Sequence, residues 1–221
     1  MLKENARRGE GPKTLKEGGV LAEAVAMEQR RNEGLVVWDW PGCGVKLPKI
    51  DNWRMRFLSP QEGDDLLAEI KTRSIQTHDM AMLSFDSGLR FGEIVSLQWG
   101  HVDIDNGVMV LVDTKSGKNR AVFMTERIKE MFQSMPQGKK TDLVFTTVDG
   151  KPIDKNSQSF FRAVVALHLN DGIKDRRDRP VFHSMRHSFA SNLVASGSDL
   201  YVVSQLLGHA DISMAARYSQ K

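Results

Sequence analysis

The sequence predicts a mainly α, α+β fold with a small antiparallel three-stranded sheet at one edge, and three observations predict it. Apolar residues recur at helical spacing through residues 60–97 and again through 125–218. Between these blocks the pattern changes to short strands around two polar turns, Asp105-Asn106-Gly107 and Ser116-Gly117-Lys118-Asn119, which are hairpin signals. Helices, a short meander, then helices again is the order of a mainly helical domain with a minor sheet.

The elements follow in chain order. Residues 1–20 are rich in Lys, Arg, Glu and Gly, with Gly9, Gly11, Pro12, Gly18 and Gly19 breaking any regular element, and read as a mobile polar arm. Leu21, Ala24, Val25 and Met27 predict a short helix that Asn32 and Gly34 would end. Pro41, Gly42, Gly44 and Pro48 predict an extended connection, so a domain boundary falls near residue 55. Ser59-Pro60-Gln61-Glu62 is a capping box with proline at the first helical position, and Leu66, Leu67 and Ile70 share one face of the helix it starts, residues 60–72. Residues 78–85 are apolar on most faces, as in a buried helix ending near Gly88, and 91–97 add a further turn or two. Strands are expected at 102–104, 108–112 and 120–124. Helices are expected at 125–134, 157–169, 184–195, 199–207 and 213–218, with a charged loop at 171–180.

Composition bounds what such a chain can be. It has 221 residues, 40% hydrophobic and 27% charged, a balance that excludes collagen, wholesale disorder and a disulfide scaffold. Cys43 is the single cysteine, so there is no internal disulfide and no Cys-rich zinc site, and a reducing cytosol is the default compartment. The amino terminus leads into polar sequence instead of the apolar core of a secretory signal, and no apolar run is long enough to cross a membrane. A cytoplasmic protein without a membrane partner is therefore expected. The net charge of +3 hints at a polyanionic partner, but the clustering of the basic residues matters more than their sum.

Several groups stand where a core would not choose them. Arg90 follows Ser87-Gly88-Leu89 at a helix junction, Lys115 stands at the mouth of a hairpin, His183 and Arg186 are one helical turn apart, His209 follows Leu206-Leu207-Gly208, and Tyr218 comes nine residues on. Each has an ordinary explanation. Arg90 can pair with Glu93 at i+3, Lys115 can be solvated, His183 and Arg186 can be a surface pair, His209 can end a helix, and Tyr218 can pack half-buried. His183 and His187 match half of a zinc site, but position 184 is Ser where the metal-protease motif needs Glu, so no metal or other cofactor is expected.

Together they form a set suited to breaking a phosphodiester without a metal. Two guanidinium groups can hold both non-bridging oxygens and offset the charge that accumulates in the pentavalent transition state. A tyrosine hydroxyl becomes a nucleophile when a base or a cationic field assists its deprotonation, and a histidine and the arginines supply these. A lysine on a hairpin could protonate the departing 5′-oxygen. The product would be a phosphotyrosine that retains the energy of the broken bond, so that another strand can be joined without ATP.

These residues lie in four ordered motifs: Ser87-Gly88-Leu89-Arg90-Phe91-Gly92-Glu93, Thr114-Lys115-Ser116-Gly117-Lys118-Asn119-Arg120, His183-Ser184-Met185-Arg186-His187-Ser188-Phe189-Ala190, and Leu206-Leu207-Gly208-His209 leading to Tyr218. In them the chain from Arg56 onward resembles the catalytic domain of the tyrosine recombinases, the phage integrase family. The resemblance implies that Arg90 and Arg186 clamp the scissile phosphate with a hydrogen bond from His209. It implies Lys115 as general acid, His183 as general base or as a proton relay and positioning group, and Tyr218 as the nucleophile. Glu93 would orient its neighbours through hydrogen bonds. Strand exchange in the family uses four protomers on two DNA sites, through a Holliday junction.

The resemblance also implies that residues 56–221 are the catalytic domain and that 21–55 are the remnant of a core-binding domain and its linker. A monomer in solution is then expected in the absence of DNA. Double-stranded DNA is the expected partner of a bacterial or phage enzyme working at the nucleoid, held by backbone contacts from Lys118, Arg120, Lys174, Arg176, Arg177 and Arg179. The alternation of Asp171, Asp175 and Asp178 with the basic residues leaves a solvated, partly neutralised loop as the other reading. Two functional alternatives stand beside a phage or mobile-element integrase: a truncated DNA-binding module that does not cut, and a nicking-closing enzyme like the type IB topoisomerases.

Overall fold

The computed structural model describes residues 56–112 and 119–209, and beyond these 211, 214, 215 and 218. All of them fall in the second of two units into which the chain divides, Arg54–Lys221. The expected arm at 1–20, the helix and linker at 21–55, the turn carrying Lys115 and Lys118, and most of the expected helix at 213–218 lie outside the described residues.

Seven helices are described: α1 Pro60–Arg73, α2 Ile75–Ser87, α3 Phe91–Val95, α4 Glu126–Ser134, α5 Gln158–Ala166, α6 Phe182–Ala195 and α7 Leu200–Leu207. Strands β1 Val102–Asp103, β2 Val108–Leu111 and β3 Arg120–Phe123 form an antiparallel sheet in that order. The described part of the chain is thus mainly α with a small three-stranded sheet, as the sequence predicts.

Local chemistry sets the boundaries. The capping box is present: Ser59 Oγ accepts the Glu62 N–H at 3.2 Å, and Glu62 Oε2 accepts the Ser59 N–H at 2.9 Å. Ser74 both ends α1, with its N–H on the Ile70 carbonyl, and starts α2 by accepting the Thr77 N–H. That cap extends α2 three residues ahead of the stretch expected from its apolar run. α5 stops at Ala166, short of the expected 169, where the chain turns through His168 at a positive φ of 55°. α6 begins at Phe182, ahead of the expected Ser184, because the Ser184 hydroxyl accepts the Val181 N–H from inside the first turn.

α2 is the central helix, packing against α1, α3, α4 and α6, while α1 also packs on α5 and α6. Its fully buried Ala81 and Leu83 join Leu66, Ile70, Ile94, Phe132, Phe160 and Met185 in one core. A smaller cluster, Ala190, Val203 and Leu207, joins α6 to α7, and Tyr218 packs against it. Arg127 anchors α4 from outside by pairing with Asp86 and, at 2.7 Å, with Asp64. The entry segment is tied to α6 by the Leu58 N–H, donated to Ser188 Oγ at 2.7 Å across 130 positions of sequence.

Gly88 ends α2 in the left-handed region, φ 67° and ψ 23°, and so turns the chain toward Arg90. A Cβ built there would lie 2.6 Å from the Phe189 ring and 2.9 Å from Leu207. Gly88→Ala is therefore expected to lower stability by about 2 kcal/mol or more through strain and overpacking together. Urea unfolding followed by circular dichroism measures the change, and a midpoint equal to wild type contradicts this role for Gly88.

Candidate active site

Arg90 is the residue before α3, in extended conformation, and Glu93 folds back on it. Glu93 Oε2 accepts the Arg90 backbone N–H at 2.7 Å, and Oε1 accepts from the Arg90 guanidinium at 2.8 Å. The i, i+3 pair that the sequence allowed is formed, but it is part of something larger. Arg120, at the start of β3, donates to Glu93 Oε2 at 3.0 Å, and Arg186 Nη1 lies 3.9 Å from the same oxygen. One carboxylate thus serves three guanidinium groups from α3, the sheet and α6. Three positive charges against one negative leave the cluster strongly electropositive.

The three arginines differ in burial. The Arg186 side chain is 2% exposed, Arg120 11%, and Arg90 25%, so only Arg90 offers much of its surface to an incoming anion without rearrangement. Arg186 is fixed by backbone oxygens: it donates to the Gly88 carbonyl and, at 2.7 Å, to the Leu207 carbonyl. Arg120 donates to the Leu206 carbonyl at 3.0 Å. Carbonyls at helix C-termini carry partial negative charge, so the ends of α2 and α7 favour the cations beside them. Burial first, and then the neighbouring Arg90, lower the Arg186 pKa to about 9, which still leaves it charged at neutral pH. Burial also lowers Arg120, against the raising influence of Glu93.

This explains the Leu206-Leu207-Gly208-His209 motif. Two successive carbonyls bind two arginines, and Gly208 caps α7 in the left-handed region at φ 60°. A Cβ at Gly208 would come within 2.5 Å of Arg120 Nη1, so glycine is needed for space as well as conformation. The turn delivers His209, whose ring stacks on Tyr218 with planes 12° apart and centroids 6.5 Å apart.

Tyr218 meets α6 as well. Its hydroxyl lies 2.8 Å from Nδ1 of His187, the residue that follows Arg186 on α6. His187 in turn contacts the exposed His183 edge to face, with centroids 4.6 Å apart. The sequence singles out His183 for the tyrosine, whereas the geometry puts His187 against the hydroxyl. Spacing could not reveal this, because His187 is 31 positions from Tyr218. The other tyrosine, Tyr201 on α7, is 60% exposed.

Of the remaining expected residues, Arg90, Glu93, Arg186, His209 and Tyr218 are brought together, and Lys115 and Lys118 lie outside the described residues. Arg120, expected as a DNA contact, is instead largely enclosed between Glu93 and α7. Among the loop cations, Lys174, Arg176, Arg177 and Arg179 are all exposed. Arg177 pairs with Asp175 at 2.6 Å, as the charge alternation allowed, and that hydrogen bond keeps the Asp175 carboxyl below its ordinary range. Among the described residues, no three His, Cys, Asp or Glu side chains are grouped so that they could hold a metal ion, and no helix is long and apolar enough to cross a membrane.

A family model described as the phage integrase family matches residues 56–221. Tyrosine recombinase XerD of Proteus mirabilis is 31% identical over 192 residues, covering 82% of this chain and 60% of that protein. The shufflon-specific DNA recombinase of Escherichia coli is 27% identical over 176 residues, covering 79% of this chain and 42% of that protein. The chain thus spans about 60% or less of the length of these curated relatives. Among solved structures, the catalytic domain of bacteriophage HP1 integrase matches with a TM-score of 0.56 and 26% identity, over 74% of this chain and 86% of that one. The Tn1549 transposon integrase in complex with transposon right-end DNA shares the fold, with a TM-score of 0.72 at 17% identity, over 97% of this chain and 77% of that one.

Glu93→Gln keeps the shape of the side chain and removes the charge from among three guanidinium groups. Breaking a buried ion pair from one side costs about 3–5 kcal/mol, and a loss near the lower end is expected here because Arg90 is partly solvated. Urea unfolding reads it, and an unchanged midpoint contradicts the role of Glu93 as the shared counter-ion.

Proposed function

The chain belongs to the phage integrase family, and we propose that it is the catalytic part of a site-specific DNA recombinase that cuts and rejoins strands through a 3′-phosphotyrosine. The observation that carries this reading is that Tyr218 meets His187, the neighbour of Arg186, and His209, which follows the α7 end that holds Arg186 and Arg120 of the Glu93 cluster. A phosphodiester is the anion such a cluster suits, and a nearby phenol is the group that can attack it.

In the proposed reaction, Arg90 and Arg186 hold the non-bridging oxygens of the scissile phosphate and offset the charge of the transition state. His209 adds a hydrogen bond. The Tyr218 oxygen bonds to phosphorus, the bond to the 5′-oxygen breaks, and Lys115 gives that oxygen its proton. His183 serves as a relay for the proton that Tyr218 loses. Attack by a free 5′-hydroxyl on the phosphotyrosine reverses these steps and seals the strand, so no nucleotide is consumed. Arg120 acts by holding the turn that carries His209 against Glu93. The exposed Lys174, Arg176, Arg177 and Arg179 contact the DNA backbone, as Lys118 does from the hairpin, giving an affinity that falls steeply with salt. Paired DNA sites bearing four protomers are the proposed setting for exchange, and a bacterial or phage-infected cytoplasm the proposed location.

The test is covalent capture. The protein is incubated in EDTA with a pool of nicked duplexes of randomised sequence, denatured, and separated by size. A denaturation-resistant protein–DNA adduct is expected from wild type, and Tyr218→Phe should form none while binding the pool equally well. An adduct of equal yield in the variant, or none in either protein, contradicts the reading.

A further inference from the structure

Deprotonating a tyrosine at neutral pH needs an acceptor in line with its hydroxyl, because the ordinary phenol pKa is about 10. The proton leaves along an existing hydrogen bond, and a competent acceptor stands within about 2.6–3.2 Å of the oxygen. His187 Nδ1 meets this condition at 2.8 Å. His187 is half-buried, on the residue that directly follows Arg186, so one turn of α6 aims a phosphate ligand inward and an imidazole at the nucleophile. Beyond it, the exposed His183 touches the His187 ring and opens a way to water.

We propose that His187, not His183, is the first acceptor of the Tyr218 proton, and that His183 passes the proton on to solvent. This rests on the recombinase reading and refines it. As the Tyr218 oxygen bonds to phosphorus, its proton moves to Nδ1 of a neutral His187. The bond to the 5′-oxygen breaks and that oxygen takes its proton from the general acid, so the charges on the protein balance. The resulting imidazolium lies beside the phosphate being transferred and attracts it. Rejoining runs the transfer backwards, with His187 returning the proton to the departing Tyr218.

The test compares wild type, His187→Ala, His187→Asn and His183→Ala in single-turnover adduct formation on the same pool of nicked duplexes. Asparagine keeps a hydrogen-bonding atom near the place of Nδ1 but has no basic nitrogen, so it can hold the hydroxyl without accepting its proton. Both His187 variants should bind the pool as wild type does and react about a hundredfold or more slowly. Added imidazole should restore part of the rate of His187→Ala, and His183→Ala should lose less than either.

A His187→Asn variant that reacts at the wild-type rate overturns the proposal, since the hydrogen bond is then only a tether. So does a folded His187→Ala variant that is slow and not rescued by imidazole, or a His183→Ala variant that carries the whole loss. These results leave wild-type adduct formation intact and so touch this proposal alone. Failure of wild type to form any Tyr218-dependent adduct overturns the recombinase reading and the proposal with it.

Discussion

Everything in the candidate site depends on how a single carboxylate lets three guanidinium groups come together out of water. Arginines at such separation repel one another, and burial strengthens the repulsion. Glu93 makes the arrangement possible by accepting from Arg90 and Arg120 and standing 3.9 Å from Arg186. It offsets part of the charge and leaves the remainder. A neutral cluster would have nothing to offer a phosphate, and an uncompensated one would oppose folding.

The second constraint is positional, and helix ends meet it. α2 and α7 both finish in a left-handed glycine, Gly88 and Gly208. Near these two ends the carbonyls of Gly88, Leu206 and Leu207 accept from Arg186 and Arg120. The packing of α2 on α6 and of α6 on α7 therefore does more than bury apolar surface. It fixes the acceptors that aim the arginines, and through the α7 turn it sets His209 against Tyr218. Stability and the layout of the candidate site share the same residues here, so a change at Gly88 or Glu93 acts on both.

Much of this was legible in the sequence because the signals are local. The Ser59–Glu62 capping box, the Asp105-Asn106-Gly107 turn and the helical spacing of Leu66, Leu67 and Ile70 each rest on contacts within a few residues. The motif resemblance points to Arg90, Arg186, His209 and Tyr218, and the first two share Glu93 while the last two stack on each other. What escaped depends on contacts across long stretches of chain. Arg120 read as a hairpin cation available to DNA, but its acceptors are 27 and 86 positions away. His187 read as half of an incomplete zinc motif, because nothing within α6 shows that a tyrosine arrives from the end of the chain. The pairing of Arg177 with Asp175, two positions apart, was by contrast visible as charge alternation.

The central claim is that Tyr218 is the group that bonds to DNA, and mapping the site of the adduct tests it most directly. The chain has two tyrosines, and trypsin separates them by cutting after Arg217. After capture on nicked duplexes and nuclease digestion, the account predicts that mass spectrometry finds a residual nucleotide phosphate on the peptide that begins at Tyr218, with Tyr201 unmodified. A nucleotide on Tyr201, on a serine or on a histidine would contradict it.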